Sequence, residues 1–128
     1  MPRIIPSILA GLLAAAPAFA QQVSRLDCQG DFSGAASMIS GYRQFTQTSA
    51  VGDGYVRFQG NIAAGGVQGT IAYEGYTATA PFSGVIESPL GEMSIGVLDN
   101  TGGRMIIYDG RASLGPPTEL GEFACNWQ

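Results

Sequence analysis

The feature that most constrains the fold of this chain is an alternation of apolar and polar residues, interrupted at short intervals by turn-forming residues. It is clearest where Met93, Ile95 and Val97 alternate with polar residues or glycine and lead into the cluster Asp99–Gly103. A period of two residues is typical of a strand with one buried face, and successive Asp, Asn and Gly residues reverse the chain at little steric cost. The run Arg104–Tyr108, apolar on both faces, then completes the clearest hairpin of the sequence.

The same pattern recurs before and after this hairpin. Three further groups of apolar residues each share one face of a predicted strand: Val56, Phe58 and Ile62; Val67, Ile71 and Tyr73; Phe123, Cys125 and Trp127. Gln29–Asp31 is interpreted as a turn, and Phe32–Ser40 as strand or irregular structure. Tyr76–Glu87 is interpreted as one strand that Pro81 bends or confines to a sheet edge, because proline cannot donate a ladder hydrogen bond.

The glycine content indicates how such strands assemble. Of the 19 glycines, 18 follow residue 20, a share well above the usual value of about 7%. Four of them interrupt predicted strands, where glycine marks a bulge, a tight bend or close approach of two backbones: Gly60, Gly69, Gly84 and Gly96. These devices curl a sheet. We therefore predict an all-β fold, a small antiparallel meander of about seven to nine short strands that is closed or nearly closed into a barrel.

The first twenty residues have the pattern of a cleaved secretory signal peptide. Arg3 supplies a positive charge, Ile4–Ala16 forms a short apolar core, and Ala18-Phe19-Ala20 is a small-x-small cleavage site. The apolar run is shorter than the about 20 residues of a membrane-spanning helix. We expect cleavage between Ala20 and Gln21, no membrane insertion of the mature chain, and a single all-β domain, residues 21–128, in the periplasm or outside the cell.

Only two cysteines are present, Cys28 and Cys125, near the two ends of the predicted mature chain. An even number of cysteines in an exported domain of this size is typical of a disulfide. Metal binding by the two thiols is the weaker alternative, because the chain has no histidine to supply a further ligand. We therefore predict a Cys28–Cys125 disulfide that ties the ends of the domain together.

The charged residues exclude several functions. The chain has no histidine and no lysine, which removes imidazole bases, Schiff-base chemistry and the commonest ligand of zinc, copper and iron. Without Arg3, five arginines face ten acids, a net charge of −5. We expect no cofactor, no metal and no nucleic-acid partner, since nucleic acid requires a basic surface. The charge is compatible with a cationic secreted protein or a small ligand as partner.

Carboxylate pairs are the remaining basis for catalysis. Three pairs lie close together in the sequence: Asp27 and Asp31, Glu87 and Glu92, and Glu119 and Glu122. A glycosidase requires two carboxyl groups about 5–9.5 Å apart across a sugar-sized cleft. A domain of this size has little mass left to build such a cleft, so we predict no catalytic residue. A small carboxylate-dependent hydrolase remains as an alternative.

Seven residues are the candidates for contact with a partner: Pro116, Pro117, Glu119, Glu122, Asp99, Tyr108 and Trp127. The two prolines stiffen a predicted loop, Gly115–Gly121, and a stiff loop loses little conformational entropy on binding. The acids attract a cationic partner, and tyrosine and tryptophan are frequent anchors of interfaces. The two aromatic residues are equally compatible with the core or with a sheet surface.

Cys28-Gln29-Gly30 and the late Cys125 resemble the ends of the small periplasmic inhibitors of animal-type lysozyme, which are disulfide-tied antiparallel barrels of similar length. This resemblance covers architecture alone. We expect that family's inhibitory Ser-x-x-Gly-x-x-Tyr segment to be missing from this chain, and we therefore infer no membership. The sequence favours an exported barrel that works by binding rather than by catalysis. An inhibitor of a cationic secreted hydrolase, such as a lysozyme or a protease, is the alternative within binding.

Overall fold

The computed structural model describes residues 21–100, 102–111 and 116–128. The predicted signal peptide with Ala20 of its cleavage site, Thr101 of the predicted turn and Gly115 of the predicted loop lie outside these ranges. The described residues form eight strands: β1 (Gln21–Phe32), β2 (Ala35–Gln47), β3 (Gly54–Ala64), β4 (Val67–Tyr76), β5 (Phe82–Ser88), β6 (Gly91–Asn100), β7 (Arg104–Asp109) and β8 (Glu119–Trp127). Each strand pairs antiparallel with the next, and β8 pairs with β1, so the sheet closes into an up-and-down barrel. The predicted antiparallel meander and its closure are confirmed.

The first two strands differ from the sequence-based prediction. Gln29–Asp31 is not a turn but part of β1, where a Cβ atom on Gly30 would overlap a carbonyl oxygen of β8. The turn follows at Ser33 and Gly34, whose φ angles of 51° and 81° lie in the left-handed region. Phe32–Ser40 is therefore divided between the end of β1, this turn and the start of β2. β1, β2 and β3 have 12, 13 and 11 residues, so these strands are longer than predicted.

The stretch Tyr76–Glu87 is not one strand. β4 ends before a single 3-10 turn at Thr77–Thr79, and β5 begins directly after Pro81. The peptide bond between Ala80 and Pro81 is cis. Proline has no backbone N–H to donate to a neighbouring strand, and here it stands between two strands instead of bending one.

The interior of the barrel is filled by the apolar side chains that the alternation assigns to one face. Twelve of them are at most 2% exposed: Leu26, Cys28, Ile39, Val56, Phe58, Ile71, Tyr73, Ile95, Val97, Met105, Ile107 and Phe123. The rings of Phe58, Tyr73 and Phe82 stack in series, with 4.9 Å and 5.8 Å between their centroids. Burial of one large apolar side chain contributes about 1.5–3 kcal/mol, so this interior is the main source of stability. A ligand has access to the barrel at its ends and on its outer face.

Three of the four strand glycines mark close approach of two strands, as predicted. A Cβ atom on Gly60, Gly69 or Gly84 would overlap a carbonyl oxygen of the neighbouring strand. At Gly96 the nearest atom would lie 3.8 Å away, which is ordinary contact, so this glycine serves no such purpose.

The predicted disulfide is confirmed. Cys28 of β1 and Cys125 of β8 are register partners and are bonded to each other, although they are 97 residues apart in sequence. The bond therefore closes covalently the seam where the last strand meets the first.

Candidate functional site

The barrel has two ends that differ in their connections. Because successive strands run in opposite directions, the connections β1–β2, β3–β4, β5–β6 and β7–β8 lie at one end, which we call the first end. The connections β2–β3, β4–β5 and β6–β7 lie at the other, which we call the second end.

An apolar cup of about 440 Å³ opens at the first end. Its wall includes large apolar side chains from five strands and one turn: Phe32, Ile62, Val67, Ile86, Met93 and Leu90. Leu90 and Met93 are 83% and 41% exposed, so apolar surface faces solvent at the mouth. Covering such surface is favourable by about 25 cal/mol per Å². The cup is therefore a candidate receptor for an apolar group of a ligand or partner.

Ion pairs determine where the net charge of the molecule lies. Every arginine after Arg3 pairs with one acid: Arg25 with Asp27, Arg43 with Asp99, Arg57 with Glu74, Arg104 with Glu122, and Arg111 with Asp109. The net charge of −5 on residues 21–128 is therefore that of the five remaining acids. Four of these belong to the first end and one to the second end: Asp31, Glu87, Glu92 and Glu119 against Asp53. Within the described ranges these five acids have no ion-pair partner, so the first end is strongly acidic.

Two of the acids at the first end face each other across paired strands. Glu87 of β5 and Glu92 of β6 are exposed register partners, and Glu92 also borders the cup. Asp31 of β1 lies opposite Glu122 of β8, whose charge Arg104 compensates. Like charges directly opposite each other destabilise a sheet. A cation bound at this end would relieve that repulsion.

The structure places the three carboxylate pairs considered for catalysis in different settings. Glu87 and Glu92 are adjacent, but they lie on an exposed strand face. Asp27 and Asp31 are four residues apart along β1, roughly 13 Å in an extended strand, and Asp27 is paired with Arg25. In the third pair, Glu122 is engaged by Arg104, whose Nε donates to it at 2.8 Å.

Three of the seven predicted contact residues lie exposed at the first end: Pro116, Pro117 and Glu119. Tyr108 of β7 is the register partner of Glu119 and is half-buried at the same end. Glu122 is exposed, but its carboxylate is occupied by Arg104. The structure therefore brings four of the predicted residues to the end at which the cup opens.

Arg111 also lies at the first end, but Asp109 neutralises it. The Nε atom of Arg111 and one terminal nitrogen donate to the Asp109 carboxylate at 3.0 Å and 2.6 Å. Hydrogen bonds from the side chain and the backbone of Arg111 lower the pKa of Asp109 to about 2. The pair is charged but contributes no net charge, so it does not compensate the neighbouring acids.

Asp99 and Trp127, in contrast, point into the barrel. The Asp99 side chain is 1% exposed and accepts hydrogen bonds of 2.9 Å from Nε and a terminal nitrogen of Arg43. The hydroxyl of Tyr73 donates to the same carboxylate, and the guanidinium of Arg43 lies 4.7 Å from the centre of the Trp127 ring. We call these four residues the internal polar cluster. The placement of Asp99 in an exposed turn is wrong, because it belongs to β6 and its side chain faces inwards.

Burial changes the chemistry of this cluster. Burial, followed by the charge of Asp99, raises the pKa of Tyr73 well above its usual value. The indole nitrogen of Trp127 is buried without a hydrogen-bond partner among the described residues. A carboxylate and an indole enclosed in this way contact Arg43 inside the barrel and are not available to a partner on the outside.

Sequence reasoning missed both the cup and the internal polar cluster. The signal for the cluster was a charged residue at an inward position, since Arg43 follows Ile39 and Gly41 on the buried face of β2. The signal for the cup was Leu90, an apolar residue in a tight turn, close to Met93, which alternation assigns to the core but which is 41% exposed.

The β2–β3 connection corrects one further expectation. Ser49, Gly52 and Tyr55 have the Ser-x-x-Gly-x-x-Tyr spacing, so the expectation that this pattern is missing is wrong. The loop is ordered by its own hydrogen bonds, because the N–H of Asp53 donates to Ser49 Oγ at 3.2 Å and the N–H of Ser49 donates to the Asp53 carbonyl at 3.3 Å. Val51 at its tip is 86% exposed. The second end therefore presents a rigid loop with an apolar tip.

The part of the chain that the structure describes contains no group of three or more Cys, Asp or Glu arranged to hold a metal ion. In that same part, no helix has the length and apolar character needed to cross a membrane. No protein-family model matches the sequence, and neither a curated protein nor a solved structure gives a significant match. The chemistry of the two ends is therefore the basis for a functional assignment.

Proposed function

We propose that this protein is an exported, non-catalytic binding module whose first end takes a cationic protein partner. The observation that carries the proposal is the coincidence, at one end of a rigid barrel, of four uncompensated acids and an apolar cup. A partner that presents an apolar side chain beside arginine or lysine residues matches both features. Export is supported by the signal-peptide pattern, and the Cys28–Cys125 bond is compatible with an oxidising compartment.

The two features contribute differently to binding. The acids increase the association rate of a cationic partner, and added salt screens this gain over a Debye length of about 8 Å at physiological ionic strength. The cup slows dissociation, because an apolar anchor that is desolvated in a pocket usually dominates the affinity of an interface. A partner with charge alone would bind fast and leave fast.

Carboxylate-dependent hydrolysis is less well supported than binding. Glu87 and Glu92 form the one considered pair whose members are direct neighbours and free of arginine, and both lie on an exposed strand face. A glycosidase places its two carboxyl groups on opposite sides of the scissile bond in a cleft. Adjacent acids on one face of a sheet do not provide that geometry.

Inhibition of a cationic secreted hydrolase is a second, more specific candidate. The observation that favours it lies at the second end, where the ordered loop Ser49–Tyr55 exposes the side chain of Val51. A loop held by its own hydrogen bonds loses little entropy when it enters a groove of an enzyme. In this form of the proposal, the loop contacts the enzyme and the first end does not.

Surface plasmon resonance against a basic lysozyme and a basic protease, at low and moderate salt, tests both candidates. Glu87→Gln, Glu92→Gln and Glu119→Gln combined remove three of the four acids of the first end. We expect association to become several-fold slower at low salt and less affected at moderate salt, with the fold intact, because exposed substitutions usually change stability by about 0.5 kcal/mol or less. Asp53→Asn removes the same kind of charge at the second end, within the Ser49–Tyr55 loop.

The two variants distinguish the candidates. Slower association in the first-end variant alone assigns the contact to the first end. A larger effect of Asp53→Asn assigns it to the loop, which supports the inhibitor and rejects the first end. Absence of binding to both enzymes at micromolar concentration and low salt rejects the inhibitor. A pull-down from periplasmic extract then tests the general proposal. The proposal is rejected if the first-end variant captures the same proteins, in the same amounts, as the parent protein.

A further inference from the structure

A second concave surface lies on the outer face of the barrel and has a different chemistry. It crosses β8, β1, β2, β3 and β4 and encloses about 900 Å³. Four of its outward-facing residues form one row of register partners across adjacent strands: Asn126, Asp27, Ser40 and Asn61. The row is polar throughout, as solvent-facing strand positions commonly are, and all four of its residues line the concave surface.

A second row runs parallel to the first on the same strands. It consists of Gln29, Met38, Ala63 and Gln68, again as register partners. Met38 is 59% exposed and lies beside the small residue Ala63, so the middle of this row is apolar and its two ends are polar. We call the surface formed by the two rows the carboxamide groove.

The polar groups of the carboxamide groove are free to bind a ligand. Gln29, Asn61, Gln68 and Asn126 are exposed, and their side chains form no hydrogen bond with another residue of the described ranges. Each carboxamide offers two donors and one acceptor oxygen. The charged residues of the groove, Arg25 and Asp27, pair with each other at 3.3 Å and leave no net charge.

We propose that the carboxamide groove binds a neutral polysaccharide in an extended, β-1,4-linked form. Sugar hydroxyl groups donate and accept hydrogen bonds, as carboxamides do, and the C–H faces of the rings cover apolar surface such as Met38. Tyr42, 59% exposed, is the register partner of Arg25 and places an aromatic face beside the groove. Neighbouring strands are about 4.8 Å apart, close to the length of one sugar unit in an extended β-1,4 chain. The spacing along a row is therefore comparable to one sugar unit.

Other classes of ligand fit the groove less well. A nucleic acid or an acidic glycan requires a basic surface, and the only arginine of the groove is neutralised by Asp27. An apolar ligand would bury the carboxamides without hydrogen-bond partners, which is unfavourable. An extended peptide adds to a sheet at a free edge, and closure of β8 onto β1 leaves no such edge beside this groove.

This inference is independent of the proposed function. The groove lies on the wall of the barrel and contains none of the four uncompensated acids of the first end. Groove variants and first-end variants can therefore fail or succeed separately.

Isothermal titration calorimetry with cellohexaose and chitohexaose tests the inference, with maltohexaose, which is α-1,4-linked and coiled, as the linkage control. We expect saturable binding of at least one β-1,4 hexasaccharide and clearly weaker binding of maltohexaose. Gln29→Ala combined with Asn61→Ala should weaken the binding about tenfold, which corresponds to about 1.4 kcal/mol. Gln22→Ala is the matched control, because Gln22 is an exposed glutamine of β1 that does not line the groove.

Three results would overturn the inference: no binding of either β-1,4 hexasaccharide at millimolar concentration, equal binding of maltohexaose, or equal weakening by Gln22→Ala and by the double variant. Circular dichroism and a melting curve establish that each variant is folded. If the double variant does not fold, Gln29→Ala and Asn61→Ala are tested singly, and each should weaken the binding. Retention of full binding by both folded single variants would also reject the inference.

Discussion

Arg43 and Asp99 form an ion pair inside the barrel, where their side chains are 10% and 1% exposed. Moving two charges out of water is unfavourable, and a buried pair persists only when additional contacts satisfy its remaining groups. Here the hydroxyl of Tyr73 donates to the carboxylate, and the ring of Trp127 lies against the guanidinium. A small chemical change in this cluster should therefore lower the free energy of unfolding strongly.

We expect Asp99→Asn to lower the free energy of unfolding by about 3–5 kcal/mol, because it leaves the Arg43 charge buried without a counter-charge. Urea denaturation measures the loss. Asp27→Asn is the control, since Asp27 and its partner Arg25 are 41% and 52% exposed. An exposed pair contributes about 0–1 kcal/mol. Equal losses in the two variants would contradict a special role for the internal pair.

Tyr73 should make stability depend on pH at the alkaline side. Its pKa is higher in the folded protein than in the unfolded chain, because the folded protein buries the hydroxyl next to Asp99. Its contribution is therefore complete below the unfolded pKa of about 10 and is lost as the pH rises through the folded value. The free energy of unfolding should therefore fall as the pH rises above about 10. It should fall less steeply in Tyr73→Phe. An equal fall in Tyr73→Phe and in the parent protein would contradict this assignment.

At the scale of strands, the β5–β6 hairpin combines a turn, the rim of the cup and two opposed acids. Glu87 and Glu92 are register partners, so the tight connection at Pro89 and Leu90 holds two like charges side by side. Nothing in the packing of the interior requires glutamate at these outward positions. The arrangement is understandable if the hairpin serves recognition of a cation at some loss of stability.

We expect Glu92→Gln to raise the free energy of unfolding by about 0.2–1 kcal/mol at low salt, because it removes the repulsion across the hairpin. The gain should shrink as salt is added, since exposed charges are screened. Chemical denaturation at two salt concentrations measures both effects. Glu74→Gln is the matched control, because Glu74 is a strand glutamate that pairs with Arg57 and should show no gain. A salt-independent change in Glu92→Gln would argue against repulsion as the cause.

At the scale of the whole molecule, closure of the sheet at β1 and β8 decides the architecture. Closure removes the free strand edges that promote aggregation, and the Cys28–Cys125 bond fastens this seam across 97 residues of chain. In the chain-entropy model a bond that closes such a long loop restricts the unfolded chain strongly. The bond therefore constrains the seam at which the last strand of the chain pairs with the first.

Reduction of the disulfide should lower the free energy of unfolding by about 4–5 kcal/mol in the chain-entropy model. Guanidinium denaturation with and without a phosphine reductant measures this loss. The intact mass of the exported protein should correspond to residues 21–128 less two hydrogens, and reduction should restore those two hydrogens. A chain that begins before Gln21 would contradict the proposed cleavage, and an unchanged midpoint after complete reduction would contradict the stabilising role of the bond.

Much of the fold followed from local patterns in the sequence. The alternation around Val56, Phe58 and Ile62 predicted an inward face that is buried, because the period of two is a property of a single strand and needs no partner. The disulfide followed from the presence of only two cysteines. Local patterns failed where one residue type has two uses. Gly30 resembles a turn residue but permits close packing of β1 and β8, and Pro81 resembles an interruption within a strand but separates two strands.

The sequence by itself determined most of the strands, most of the inward apolar residues, the net charge and the covalent tie between the ends. Only the tertiary structure decided which distant residues become neighbours: Arg43 with Asp99, the row from Asn126 to Asn61, and the four acids gathered at one end. The physical reason is that these neighbours depend on strand register and on barrel closure, which join residues far apart in the chain. Register is set by the sum of interior packing and of backbone contacts at inward glycines, and no single segment contains that information.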